Sequence, residues 1–335
     1  CATAARISTT TSCKPEDAAM SLISLPPAST FIGAPHVEAR TDLLRAHGAQ
    51  AALLGMPYDM GGIWRTGAAD GPRGLRDASR QYGPYFFDDD VDLFEAFKLV
   101  DCGNAPMVPA SPEKCRAAMK RGASEIIRSG AMGIFIGGDH SIPAPIGEAL
   151  SEATPGKIGY IVFDANMDAE EEVDGERFSN WSEACRLAEL PNLDPRNMVM
   201  IGIRGSLNTR RQFEYVKSKG ITIFAMRDII ELGIVEVMNR ALAIAGRGTS
   251  ALYVSFDTDG VDAAYAPGTS GPEPGGLTSR EIITAARMLG RHGVSIFDIV
   301  ELCPAYDPSG ITARLACYLI FNLLGAAWSA RGSHA

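Results

Sequence analysis

The stretch IGYIVFDANMDAE, residues 158–170, runs from an apolar segment straight into three polar side chains spaced by two. Residues 158–163 are almost wholly apolar, as a strand covered on both faces must be. Asp164, Asn166 and Asp168 follow at once. In extended chain, residues two apart point to the same side, so these three converge if strand geometry persists. Two carboxylates at the end of a buried strand read as metal ligands. The amide between them stands where an imidazole would serve a metal better.

Similar apolar runs recur along the chain. AALLGMP (51–57), AMGIFIGG (131–138), MVMIGI (198–203), ITIFAM (221–226), SALYVSF (250–256) and SIFDIVEL (295–302) are predicted strands. Between them, residues 112–129, 206–220, 227–246 and 278–293 carry helical patterning. Thr278 or Ser279 can cap the last of these, and Gly220, Gly246 and Gly293 suit helix ends. Strand–helix alternation over this length predicts one α/β domain on a mostly parallel sheet. Residues 1–48, with little periodicity and several Pro and Ser, form a predicted arm lying on the domain or on a neighbouring subunit. The domain occupies 49–330, and 331–335 is a C-terminal tail.

Composition excludes several classes. Against 40 Asp and Glu stand 31 Lys and Arg, a net charge of −9 in 335 residues, which disfavours nucleic acid or an anionic membrane as partner. No apolar run in the sequence reads as a membrane span, and the first 20 residues lack the basic start and apolar core of a secretory signal. The seven cysteines are scattered and form no CxxC pair, predicting reduced thiols in a cytoplasmic protein.

Ligands gather at the carboxyl ends of parallel strands. Besides 163–170, two clusters sit at such positions: FIGGDHSIP (135–143), with Asp139 and His140, and YVSFDTDGVDAAYAPGTSGPEPGGL (253–277), with Asp257 and Asp259. Alone, a D-x-D at a strand end is often a cap or a solvated turn, and a glycine turn after a strand is common. Together, in this order, they are far more specific. Asp164, Asp168, Asp257 and Asp259 converging on one point would repel unless a cation neutralises them. Carboxylates with an imidazole suit Mn²⁺ and similar divalent ions, and paired ions of this kind activate water.

These segments resemble the ureohydrolase superfamily of arginases and agmatinases, most closely its agmatinase-like branch. LGMPYDMGGIWRTGAADGPRGLRDAS (54–79), TFIGAPHV (30–37), residues 255–277 and IVELCPAYDPSGITARLA (299–316) all carry the likeness, which extends over nearly the whole chain. The resemblance implies a three-layer α/β/α fold, hydrolysis of guanidine-type C–N bonds, two Mn²⁺ ions and a trimer or hexamer. It implies a first metal on His140, Asp164, Asp168 and Asp257, and a second on Asp164, Asp257, Asp259 and a histidine whose position is Asn166 here. It assigns Asp168 to the hydroxide and Glu301 to the cationic group of the substrate. A downstream His-Gly pair, a proton shuttle or substrate contact, is replaced by Asn180 and Trp181 within RFSNWSEACRLAE (177–189).

An asparagine offers a metal only a neutral oxygen and cannot shuttle a proton near neutral pH. Trp181 could fill part of the substrate cleft. Three readings follow. The first is an impaired chain, with one metal or none, paired with an intact paralogue as in heteromeric ureohydrolases that act on biguanides such as metformin, with Mn or Ni as the metal of the complex. The second is an active hydrolase of an atypical guanidino substrate. The third is a pseudoenzyme that binds small cations. Elsewhere, Trp64 and Arg65 read as structural or interfacial, Arg73 and Arg76 as partners of buried acids, Cys303 as a buried thiol, and DDDVD (88–92) as a solvated turn.

Overall fold

The computed structural model describes residues 29–332; residues 1–28 of the predicted arm and 333–335 of the predicted tail lie outside the described residues. In chain order the strands are β1 (Ala51–Gly55), β2 (Tyr85–Phe86), β3 (Val91–Asp92), β4 (Val100–Asn104), β5 (Met132–Ile136), β6 (Lys157–Phe163), β7 (Met198–Ile203), β8 (Thr222–Ala225), β9 (Thr249–Asp257) and β10 (Ile296–Val300). Eight of them form one parallel sheet in the order β4-β1-β5-β10-β9-β6-β7-β8, while β2 and β3 make a small antiparallel ribbon.

The helices are α1 (Thr41–His47), α2 (Gly71–Ser79), α3 (Leu93–Phe97), α4 (Pro112–Ser129), α5 (Pro143–Ala153), α6 (Glu183–Ala188), α7 (Arg210–Lys219), α8 (Met226–Leu232), α9 (Ile234–Ala245), α10 (Ser279–His292) and α11 (Ile311–Gly332). They pack in two layers. Leu75, Ile229, Val237, Leu289 and Leu323, from α2 and α8–α11, share one core with Ile161 and Phe163 of β6. Leu44, Met119, Ile146, Leu187 and Val216, from α1 and α4–α7, share the other with Ile158, Tyr160 and Val162. The alternation along β6 is the period-two consequence of a strand covered on both faces, and the result is the three-layer α/β/α fold.

Strand order determines where the site falls. β9 and β10 insert between β5 and β6, so the carboxyl ends of β5, β10, β9 and β6 lie side by side. Those four ends carry His140, Glu301, Asp257 and Asp164.

Several expectations change. The helix read over 227–246 is two, because Gly233 at φ 80°, ψ 150° separates α8 from α9. β4 was not anticipated: VDCGN breaks its apolar pattern with Asp101, which is fully buried and held by Arg76 at 2.8 Å. α11 is long and apolar enough to cross a membrane by length and composition, contrary to the sequence reading. It is mostly buried and packs against α10 and α2, which explains its composition as that of a core helix. DDDVD is a solvated turn only at Asp88 and Asp90, which are exposed. Asp89 pairs with Arg287 at 2.7 Å, and Asp92 caps α3 by accepting from the amides of Phe94 and Glu95.

Candidate metal centre

β5 ends at Ile136, and the chain turns through Gly137 and Gly138. A Cβ on Gly138 would fall 2.1 Å from the carbonyl oxygen of Tyr58, so this turn admits only glycine. It delivers Asp139 and His140, both fully buried. Asp139 accepts from the amides of Gly61 (2.7 Å) and Ser141 (3.0 Å), which ties the loop after β1 to the turn.

His140 Nδ1 lies 3.0 Å from Asp164 Oδ2, 2.9 Å from Asp168 Oδ2 and 3.2 Å from Asp257 Oδ2. Ligand atoms of His140, Asp164 and Asp257 all fall within 4.8 Å of one another. Although buried, His140 Nδ1 and Asp164 Oδ2 have no hydrogen-bond partner. A divalent ion holding its ligands at about 2.0–2.2 Å separates neighbouring donor atoms by about 3 Å. The imidazole and carboxylates present therefore fit a resident metal, and its ligand atoms are the orphans.

The convergence does not come from extended chain, as spacing suggested. β6 stops at Phe163, Asp164 Oδ1 accepts from the Asn166 amide at 2.6 Å, and Asp168 sits at φ 42°. Asp257 closes β9 and accepts from the Asp259 amide at 2.8 Å. Asp259 reaches back to accept from the Ala165 amide at 3.0 Å, cross-linking the ends of β9 and β6. Turns capped by the carboxylates themselves aim these groups.

The sequence reading missed the support behind His140. Its Nε2 is 3.2 Å from Ser255 Oγ, Ser255 donates to Asp298 Oδ1 at 2.6 Å, and the Tyr253 hydroxyl donates to Asp298 Oδ2. A partner on one ring nitrogen fixes the other toward a metal. The signal was available: Ser255 and Asp298 are polar positions inside otherwise apolar strands, and a carboxylate there demands partners.

Electrostatics mark the cluster as incomplete without a cation. Burial, then neighbouring carboxylates, push Asp164, Asp257 and Asp259 above the usual carboxylate range, and burial also leads for Asp168. Burial opposes a charge on His140, but the carboxylates of Asp164, Asp168 and Asp257 gathered 2.9–3.2 Å from its Nδ1 outweigh it and hold its pKa well above the ordinary value.

Glu301 follows β10 at φ 58°. Its Oε1 accepts from the His140 amide (2.9 Å) and Asn180 Nδ2 (3.1 Å), and its Oε2 from Ser270 Oγ (2.6 Å). Burial, then Asp257 and Asp139, push it up to about 8. Asn180 also accepts from the Ile63 amide at 3.3 Å, so it joins the loop after β1 to Glu301. Glu301, Asp168, Asp257, Asp259, Asn166, Asn180 and Trp181 all line one cavity of about 730 Å³. Trp181 is a wall of this cavity and leaves it open. Asn166 Nδ2 is buried without a partner. Trp64 and Arg65 stand at the same cavity, Arg76 is paired with Asp101, Arg73 with Asp70, and Cys303 is fully buried.

A buried imidazole among carboxylates, at the carboxyl edge of a parallel sheet and opening on a cavity, defines a metal-dependent hydrolase scaffold. The arginase family profile matches residues 49–325, and the chain belongs to that family. It is 32% identical over 278 residues to the guanidinopropionase of Pseudomonas aeruginosa, covering 82% of this chain and 86% of that protein. It is 32% identical over 313 residues to the mitochondrial agmatinase of Gallus gallus, covering 91% and 90%. The solved structure of proclavaminate amidino hydrolase from Streptomyces clavuligerus superposes with a TM-score of 0.81 at 30% identity, covering 92% of this chain and 98% of that one.

Proposed function

We propose that this chain is a subunit of a metal-dependent hydrolase of guanidine-type C–N bonds, guanidines or biguanides, and that it is catalytically impaired alone. It holds one divalent ion on His140, Asp164, Asp168 and Asp257 and acts as structural or regulatory partner of an intact homologous chain, in a trimer or hexamer. The observation that carries this reading is Asn166, which lines the cavity where the second position's imidazole would stand and leaves its Nδ2 unpartnered. Asp259, which accepts from the Ala165 amide next to Asn166, is the carboxylate that the family resemblance assigns to that position.

When bound, the ion supplies a Lewis-acidic centre that lowers the pKa of water; Mn²⁺ suits the oxygen-rich set, and Ni²⁺ also accepts the imidazole. Asp168 would accept a hydrogen bond from the attacking water through its second carboxylate oxygen, and Glu301 would take the guanidinium, oriented by Ser270 and Asn180. Asn180 does not titrate near neutral pH and moves no proton. The test is purification of this chain alone, with Mn²⁺ or Ni²⁺, followed by metal analysis and assay of guanidine hydrolysis. One ion per chain and negligible turnover are expected; two ions with ordinary enzyme rates would sink the reading. A second reading, a sensor of small cations, is favoured by the open cavity, and heat on titration with guanidines without hydrolysis would support it.

A further inference from the structure

The cavity has two unlike ends. Its floor is acidic: Asp168, Asp257, Asp259 and Glu301 lie at or just beyond strand ends. Its rim comes from loops and, apart from Glu273, is largely apolar. Ile63 and Trp64 follow β1, Trp181 follows β6, Leu207 follows β7 and Pro272 follows β9. Trp64 is 81% exposed and Leu207 41%, so this apolar surface faces solvent instead of packing inside the chain.

Among the described residues that line the cavity, Arg65 is the only cationic side chain. Its charge is directed at backbone. Nε donates to the Ser270 carbonyl at 2.7 Å and a terminal nitrogen to the Thr269 carbonyl at 2.9 Å, while the guanidinium lies 4.2 Å over the Tyr306 ring. It fastens the segment that presents Ser270 to Glu301. The remaining charged group of the lining is Glu273, another carboxylate.

We propose that the ligand of this site is a guanidinium with an uncharged, apolar far end, an N-alkyl or N-aryl guanidine, and that the site selects against guanidino acids. This rests on reading the cavity as a guanidinium site. A carboxylate at the rim would lose hydration beside two indoles and face Glu273 without a cation in compensation. An alkyl tail gains about fourfold in affinity for each methylene it buries against Trp64, Trp181 and Leu207.

The test uses the full chain loaded with Mn²⁺ and calorimetry with three guanidines on four-carbon chains, the first two with three methylenes before the end group and the third with four. These are n-butylguanidine, 4-guanidinobutyrate and agmatine, which end in methyl, carboxylate and ammonium. Butylguanidine is expected to bind about 30-fold more tightly than guanidinobutyrate, more tightly than agmatine, and more tightly than ethylguanidine. Trp64→Arg, at an exposed position, is expected to bring guanidinobutyrate to within about threefold of butylguanidine by supplying the missing cation. Equal or tighter binding of the acid to the unaltered chain, agmatine binding tightest, no binding at millimolar ligand, or a ratio unmoved by Trp64→Arg would each overturn the proposal. Metal content and turnover on the same sample keep the two readings apart. The one-ion partner reading falls on two ions and ordinary rates whatever the ranking, and the ligand class falls on the ranking whatever the stoichiometry.

Discussion

Asn166→His is expected to raise bound metal from one ion to two per chain. The structure prepares the position well. The Asn166 amide donates to Asp164 Oδ1 at 2.6 Å, which places the side chain beside Asp164, and Asp259 is tied to the neighbouring Ala165 amide at 3.0 Å. Asn166 Nδ2 has no partner, so its replacement costs no side-chain hydrogen bond, and the cavity adjoins the position. An imidazole adds a neutral nitrogen donor to carboxylates that burial and mutual repulsion already hold in want of a cation. With free Mn²⁺ at about 100 times the new dissociation constant, the second ion stabilises the fold by about 2.7 kcal/mol. For a domain of this size that raises Tm by roughly 5 °C. Elemental analysis of dialysed protein and calorimetric melting with and without Mn²⁺ read the two effects separately. The reasoning is refuted if the unaltered chain already carries two ions, or if the variant keeps one ion and the same metal-dependent Tm.

Asp298→Asn leaves the fold in place but loosens the Ser255 contact that orients His140, and metal affinity measured against a chromophoric chelator should fall about 10- to 100-fold; an unchanged affinity would remove Asp298 from the site. Arg76→Leu strands the buried Asp101 carboxylate, which it now meets at 2.8 Å, and urea unfolding should show a loss of about 3–5 kcal/mol; a loss below 1 kcal/mol would show that the amides of Phe31 and Gly103 suffice for Asp101. Burial alone would raise the pKa of Asp89, but hydrogen bonds from Arg287 and Ser329 more than reverse this and hold it below the usual value of 3.8. A carboxylate with a depressed folded pKa contributes stability that is complete above its unfolded pKa and lost as pH falls through the folded one. The Tm gap between the native chain and Arg287→Leu should therefore be full at pH 6 and close as pH drops below about 4; a gap independent of pH would contradict the pairing.

The strands of the sheet centre were legible because a strand covered on both faces has to be apolar throughout, as 158–163 and 198–203 are. β4 was not, since at the sheet edge it carries Asp101 and Asn104, each engaged by Arg76 from α2. Strand order was equally hidden. Nothing local in SALYVSF or SIFDIVEL says that these late strands insert between β5 and β6, yet that insertion assembles the site. That the acidic strand-end residues and His140 lie together was legible, but for a reason that does not hold. Spacing by two suggested a shared strand face, whereas the carboxylates converge through turns, with Asp168 at positive φ. Short polar residues tolerate that backbone region, and the D-x-D spacing reflects side chains capping amides two residues on.

The two asparagines that the resemblance sets at histidine positions are not equivalent in their surroundings, and only the structure separates them. Asn166 has an unpartnered side-chain nitrogen, so its identity is weakly constrained by the fold. Asn180 is built in: its side chain accepts from the Ile63 amide and donates to Glu301, 121 residues away. A histidine at 180 can keep the bond to Glu301, but it cannot also reproduce the amide's oxygen acceptor at the same reach. Asn180→His should therefore cost one anchor of the loop that carries Trp64 and Arg65, the bond from the Ile63 amide, while Asn166→His leaves it intact. Metal stoichiometry should follow position 166 alone. On the proposed reading, in which guanidine turnover needs a second ion and a proton carrier, it should require both changes. Turnover restored by Asn166→His alone would show that the proton leaves through another group, and metal content that depends on position 180 would break the division between the two.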